Sequence, residues 1–241
     1  MESTKTSPKA EFDQFAKDYD QLLQSSITAS GYEAVFFDEH KIRTLYNDFS
    51  ANEKSATKTI QIMNFGCGTG KSEYFINKYF PNCEICAVDV SEKSIVEAKE
   101  KNKQFTNIEF RKFDQVEELV SISKKFDIIF VANVFHHIPT ELHLKTLKYL
   151  KSFLAQNGHL YVFEHNPQNP LTRKAFDTCE FDVGCHMIKP SLFIQMCKEA
   201  GYQTIVRRYV LFFPKMFSFL VPFEKYLKWC ALGAQYYIKA K

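Results

Sequence analysis

The residues best suited to chemistry fall into three short stretches, and two of them are histidine pairings. "NVFHHIP" sets His136 and His137 just past an apolar strand-like run, and "GHLYVFEH" ends a later run on Glu164 and His165. Imidazole exchanges its proton near neutral pH, so a histidine there can serve as general base for a hydroxyl acceptor. His136 is the first candidate and His165 the second, beside the plain alternative that such residues shape a turn. Strand alternation sends Glu164 and His165 to opposite faces, so one of the two should look into a site. The third stretch, "QIMNFGCGTGKSEYF", places Gly66, Gly68 and Gly70 between a strand-like run and a helix-like one. Glycine lets the chain turn sharply and lets a ligand approach the backbone, and a helix N-terminus favours an anionic group. The G-x-G-x-G spacing is neither the dinucleotide G-x-G-x-x-G nor a phosphate loop, which argues against an NAD-type oxidoreductase.

Two acids extend the pattern. Asp89 ends "EICAVDV" about 20 residues after the loop, the separation at which a carboxylate meets ribose hydroxyls in doubly wound nucleoside folds. Asp114 follows the strand-like "NIEFRKF" beside Phe113, an aromatic edge and an acceptor suited to adenine. Asp89 also fits a simple capping role. No metal centre is expected. Cys83 and Cys86 sit three apart in a strand and face opposite sides, while Cys179, Cys185 and His186 lack zinc-site spacing.

These residues need a scaffold that brings the ends of several strands together. From Thr59 onward, strand-like runs ("TIQIMNF", "EICAVDV", "NIEFRKF", "FDIIFVANV", "GHLYVFEH") alternate with helix-like runs starting near Thr69, Ser91, Gln115 and Thr140. This order predicts an α/β, doubly wound sheet of parallel strands with helices on both faces. Ser91 reads as an N-cap without a full capping box. After Pro190 come a helix ("SLFIQMCKEAG") and two more strands ("YQTIVRRYVLF", "GAQYYIK"), for seven strands in all, the last of them an antiparallel edge strand. Residues 166–188 show no periodic pattern and read as an active-site loop carrying Asn166, Arg173, Glu180, Asp182 and His186. At the front, "FDQFAKDYDQLL" has helical spacing, and "GYEAVFFDEHKIRTLYNDF" is a second amphipathic stretch. The expected division is a helical lid over residues 1–55 and a ligand-binding domain over 56–241.

"MNFGCGTG", "AVDVSEKSI", "KFD" and "FDIIFVANVFHHIP" together resemble the class I S-adenosylmethionine-dependent methyltransferases, over roughly residues 11 to 210. The resemblance implies a Rossmann-like seven-stranded sheet, S-adenosyl-L-methionine as cofactor, and methyl transfer to an acceptor. It implies that Gly66, Gly68 and Gly70 cradle the amino-acid end of the cofactor, and that Asn64, Cys67, Val90 and Asn133 are among the cofactor-binding residues. Asp89 would take the ribose diol and Asp114 the adenine amine. "FDQFAKDYDQ" looks like the family's lid helix, making Phe15 and Tyr19 candidates for closing over the methionine end. Asn64 departs from the pattern, since the family has Asp or Glu there. An amide can hydrogen-bond but brings no charge for an ammonium or sulfonium, so weaker affinity, a carboxylate from elsewhere, or loss of activity follows. "EHNPQNPLTRKAFDTCEFD" resembles a subgroup of these enzymes found in bacterial polysaccharide and lipid-modification settings.

Composition narrows the partners. The chain has 241 residues, 45% of them hydrophobic, and a net charge of +3. Its start lacks the apolar run of a signal peptide, and seven cysteines without framework spacing point to a reducing, cytoplasmic setting. Residues 1–188 carry 22 basic against 26 acidic groups, and residues 189–241 carry 9 against 2. Within that basic tail, "VLFFPKMFSFLVPF" holds one charge in fourteen positions, too short and too Pro-broken to span a bilayer. The segment 207–229 either caps an acceptor pocket or touches a lipid surface from the side. Basic residues mixed with aliphatics do not make a nucleic-acid reader. The expected acceptor is therefore a small or lipid-linked molecule methylated at oxygen. A non-catalytic cofactor-binding relative and a tRNA-modifying methyltransferase are the alternatives.

Overall fold

The computed structural model describes residues 30–51, 58–179 and 182–241. Seven strands form one sheet: β1 (Ile60–Phe65), β2 (Cys83–Asp89), β3 (Ile108–Lys112), β4 (Phe126–Ala132), β5 (Leu154–His165), β6 (Ile205–Val210) and β7 (Gln235–Ala240). Their order is β3-β2-β1-β4-β5-β7-β6. The β1–β2, β1–β4, β2–β3 and β4–β5 pairs are parallel, and β7 runs antiparallel to both β5 and β6. The chain reverses direction across the sheet at β1/β4, the switch point where open α/β sheets bind ligands.

The helices are α1 (Ala34–Ser50), α2 (Lys71–Tyr79), α3 (Glu92–Lys101), α4 (Thr140–Phe153), α5 (Pro170–Asp177) and α6 (Pro190–Glu199). Two apolar layers flank the sheet. One holds Met63, Phe65, Val131, Leu147, Phe193 and Tyr236, and the other Ile42, Leu45, Ile62, Phe75, Phe130 and Tyr237. Ser91 caps α3 as its sequence implied, with Oγ accepting from the Ser94 amide at 3.1 Å. The run after Gln115 is a 3₁₀ helix, Val116–Ser121, instead of an α-helix.

Two expectations need correction. The last strand is not at the edge: β7 is buried at five of its six residues and slots between β5 and β6. Buried on both faces, it is paired on both sides as well. β6, with exposed Arg207 and Arg208, tolerates the open edge. Second, residues 166–188 are not all loop. Asn169 caps α5 by accepting from the Thr172 amide at 2.9 Å, and Pro170 fills the first turn. The histidine-bearing stretch after β4 forms a short 3₁₀ turn, Phe135–His137.

Of the lid expected over residues 1–55, the described part is the α1 region. Asp48 accepts hydrogen bonds from Tyr161 Oη (3.0 Å), Tyr237 Oη (3.1 Å) and Lys239 Nζ (2.7 Å), tying α1 to β5 and β7. Burial alone would raise the Asp48 pKa, but Lys239 and the two phenols hold it below the ordinary value. Phe12, Phe15 and Tyr19 lie outside the described residues. No described helix is long and apolar enough to cross a membrane.

Candidate functional site

One cavity of about 920 Å³ opens along the carboxyl ends of β1, β2, β4 and β5, at the upper end of the range for small-molecule sites. Asn64, Gly66, Cys67, Gly68, Val90, Asp114 and Asn133 all line it. So do His137, His165 and Asp182 at its other end, with Phe37 of α1 and Leu211–Pro214 closing apolar walls.

The glycine loop has a division of labour. Gly66 has φ +77°, and a Cβ there would sit 2.3 Å from Val134. Gly70 has φ +75°, and a Cβ would collide with Ala98 and the Asn102 side chain. Gly70 is not on the cavity wall; it starts α2 and offers its carbonyl to Asn102 Nδ2 at 2.7 Å. Gly68, at φ +53°, would meet nothing within 4 Å if it carried a Cβ. That open space is the cradle a ligand would fill.

The amides of this loop are largely used within the fold. Gly66 and Cys67 both donate to the Val88 carbonyl, Gly70 donates to the Cys67 carbonyl, and Gly68 donates to Asp89 Oδ2 at 2.8 Å. The loop therefore offers less to an anion than its sequence implied. Lys71 and Ser72, in the first turn of α2, also line the cavity.

Asp89 is buried and stands behind the wall. Its second oxygen accepts from the Ser91 amide at 2.9 Å. It braces the loop against α3. Asp114 lines the cavity beside Phe113, Val116 and Leu142, with its carboxylate held by Lys112.

Two side chains on the wall carry buried acceptors without a partner. Asn133 Oδ1 is one, on a residue held at φ +56° at the end of β4, and Gln235 Oε1 of β7 is the other. A buried acceptor lacking a donor is costly, and a polar ligand would relieve both. Gln235 carried no signal in the sequence. It reaches the site because β7 inserts and pairs it with His165.

At the far end the imidazoles and carboxylates form a cluster. His136 Nδ1 meets Glu164 Oε2 at 2.6 Å, and its Nε2 lies 3.3 Å from Asp182 Oδ1. The other Glu164 oxygen accepts from the Phe135 amide at 2.8 Å. Burial would push the His136 pKa down, but Glu164 and Asp182 overcome it and raise it to about 9. His136 is thus protonated at neutral pH, with both nitrogens engaged, and it is not among the cavity-lining residues. His137 and His165 are. Burial and the neighbouring charged His136 lower them to about 3 and about 4, so both are neutral imidazoles. His137 Nδ1 lies 3.2 Å from Cys185 Sγ. His136, His165 and Asp182 also bring three potential ligand atoms within 4.8 Å of one another, but a protonated His136 with both nitrogens engaged has no lone pair for a metal ion.

Residues 63–160 match a family profile described as a methyltransferase domain. Malonyl-[acyl-carrier protein] O-methyltransferases from Ilyobacter polytropus and Halalkalibacterium halodurans are 34% and 32% identical to this chain over 103 and 134 residues. Those matches take in 43% and 53% of this chain, and 37% and 46% of the relatives, so the chain spans less than half the length of either. Among solved structures, magnesium protoporphyrin IX methyltransferase from Synechocystis with bound SAH superposes at TM-score 0.64 and 14% identity, covering 96% of both chains. The plantazolicin methyltransferase in complex with SAH gives 0.63 and 16%, covering 97% of this chain and 95% of that one. The fold is that of the class I methyltransferases. Residues 63–160 are thus similar to a methyltransferase domain, set in a fold shared with these two SAH complexes.

Proposed function

We propose that this chain binds S-adenosyl-L-methionine in the cavity and transfers its methyl group to the oxygen of a small or carrier-linked acceptor. The observation that carries the reading is that one cavity is walled at one end by the glycine loop and at the other by His137, His165 and Asp182. When bound, the cofactor supplies an electrophilic methyl on a sulfonium, so the protein's work is positioning, water exclusion and proton handling.

Gly68 leaves room for the amino-acid end, Asp89 and Asp114 serve the ribose and adenine, and Asn133 and Gln235 offer acceptors along the wall. His165 is the residue assigned to take the acceptor's proton. His136 is a positioning residue, since its charge between two carboxylates keeps His165 in its base form. Counting His136 as charged, the trio of His136, Glu164 and Asp182 carries a net charge of −1. That favours an acceptor that arrives as a neutral hydroxyl over one that arrives as a carboxylate.

The acyl-carrier-linked acceptors named for the curated relatives support a carrier- or lipid-linked acceptor here as well. The exposed Met216, Phe219, Phe223, Tyr226 and Trp229 could guide such a molecule in from a lipid surface. The test is to incubate the chain with S-adenosylmethionine and a panel of phenols, sugars, polyprenyl-linked sugars and acyl-carrier thioesters, read by a 14-Da mass gain (the mass of one CH₂). Cofactor binding without any such gain across the panel would favour the non-catalytic relative.

A further inference from the structure

Beneath the cavity floor, Asn64 of β1 lines the wall, and its Nδ2 donates to Glu73 Oε1 at 2.6 Å. Glu73 lies in the first turn of α2 and is fully buried, and its other oxygen has no partner. A buried carboxylate with an orphan oxygen calls for a compensating cation. Among the described residues, no cationic side chain is one of the groups acting most strongly on it. The charged groups acting on Glu73 are Asp38 of α1, itself 3.5 Å from Lys41, and Asp89 at the end of β2, with the Cys67 thiol also close by. Asn64, which holds Glu73, also lines the cavity, so a cation bound there would meet the other end of that amide.

An amide has a donor end and an acceptor end, so whichever end faces Glu73 dictates what faces the cavity. We propose that Asn64 and Glu73 form a proton-gated site for the primary ammonium of an amino-acid ligand. Ionised Glu73 holds the amide nitrogen and leaves Asn64 Oδ1 as the acceptor offered to the cavity; protonated Glu73 donates to that oxygen and turns the amide's donor outward. Binding of the ammonium therefore releases one proton from Glu73 to solvent. Burial pushes the Glu73 carboxyl up to about 7, opposed by the hydrogen bond from Asn64, so both states are populated near neutrality. The carboxylate missing from the strand is thus supplied from the helix behind it, and Glu73 is a positioning residue.

The inference rests on the cofactor reading above, and its test separates the two. Calorimetry compares S-adenosylhomocysteine with 5′-methylthioadenosine, which lacks the amino-acid end, at pH 6, 7 and 8. S-adenosylhomocysteine should bind about tenfold more tightly at pH 8 than at pH 6, as one-proton linkage with a pKa near 7 requires, while methylthioadenosine stays level. Glu73→Gln should abolish that pH dependence and weaken S-adenosylhomocysteine more than tenfold, sparing methylthioadenosine. Heats in two buffers of different ionisation enthalpy should reveal the released proton in the unaltered protein, whether or not the variant folds. A pH-independent affinity without proton release, or equal losses for both ligands, overturns the gate. If neither ligand binds the unaltered protein, the cofactor reading falls and takes the gate with it.

Discussion

The two ends of the cavity are built on different principles. At the glycine-loop end, the polar groups are tied down by backbone geometry: Asp89 clamps two amides, and Gly66 and Gly70 occupy positions where a side chain would collide. At the other end, side chains hold one another. His136 sits between Glu164 and Asp182, and Gln235 arrives from a strand paired in from far along the sequence. On the proposed reading, the first construction gives the cofactor a fixed shape, and the second gives the acceptor a charge arrangement set by side chains alone.

This contrast can be broken in order of severity. His165→Ala should cost roughly 10²-fold or more in turnover, the usual contribution of a positioned base, with S-adenosylhomocysteine affinity unchanged. A loss confined to cofactor binding would move His165 to the other end. Asp89→Ala removes the acceptor of both the Gly68 and Ser91 amides and should weaken cofactor binding by about 1–3 kcal/mol, with a lowered melting temperature. Unchanged binding in calorimetry would refute its bracing role.

The imidazole cluster should also write itself into the pH dependence of stability. The His136 pKa is raised on folding to about 9, so its contribution is fully present below about 6.5 and fades as pH climbs through 9. His165 is lowered to about 4, so its contribution holds above about 6.5 and is lost as pH falls toward 4. Urea unfolding from pH 4 to 10 should therefore show both limbs, and His136→Gln should flatten the alkaline one. The smallest effect concerns the exposed aromatics. Phe219→Ser with Trp229→Ser should leave turnover on a soluble acceptor unaltered while reducing flotation with anionic vesicles at low salt. If the unaltered protein does not float, the lipid-surface reading ends there.

The same divide governs what could be read from the sequence. The glycine-loop end was legible because local spacing encodes it: glycines after a strand, an acid about 20 residues on, and a serine at a helix start. α5 was readable too, since Asn169-Pro170 is an N-cap followed by a first-turn proline, but the lack of apolar periodicity concealed it. Glu73 and Gln235 gave no warning. One depends on which face of a helix is buried, and the other on a strand inserting where simple succession would not put it. His136 was visible as a chemical group, yet its charge state follows from two acids that lie 28 and 46 positions away.

The insertion of β7 also bears on how the protein assembles. β6 has no partner in the sheet until a strand made about 25 residues later lies between it and β5. The β5–β7 pairs that seat Gln235 beside His165 span 70 to 80 residues of chain, so the entropy of loop closure is lost before those contacts form. Folding should thus complete the nucleoside-shaped half early and leave the proton-handling half until last, which would make capture of the cofactor an earlier competence than its use.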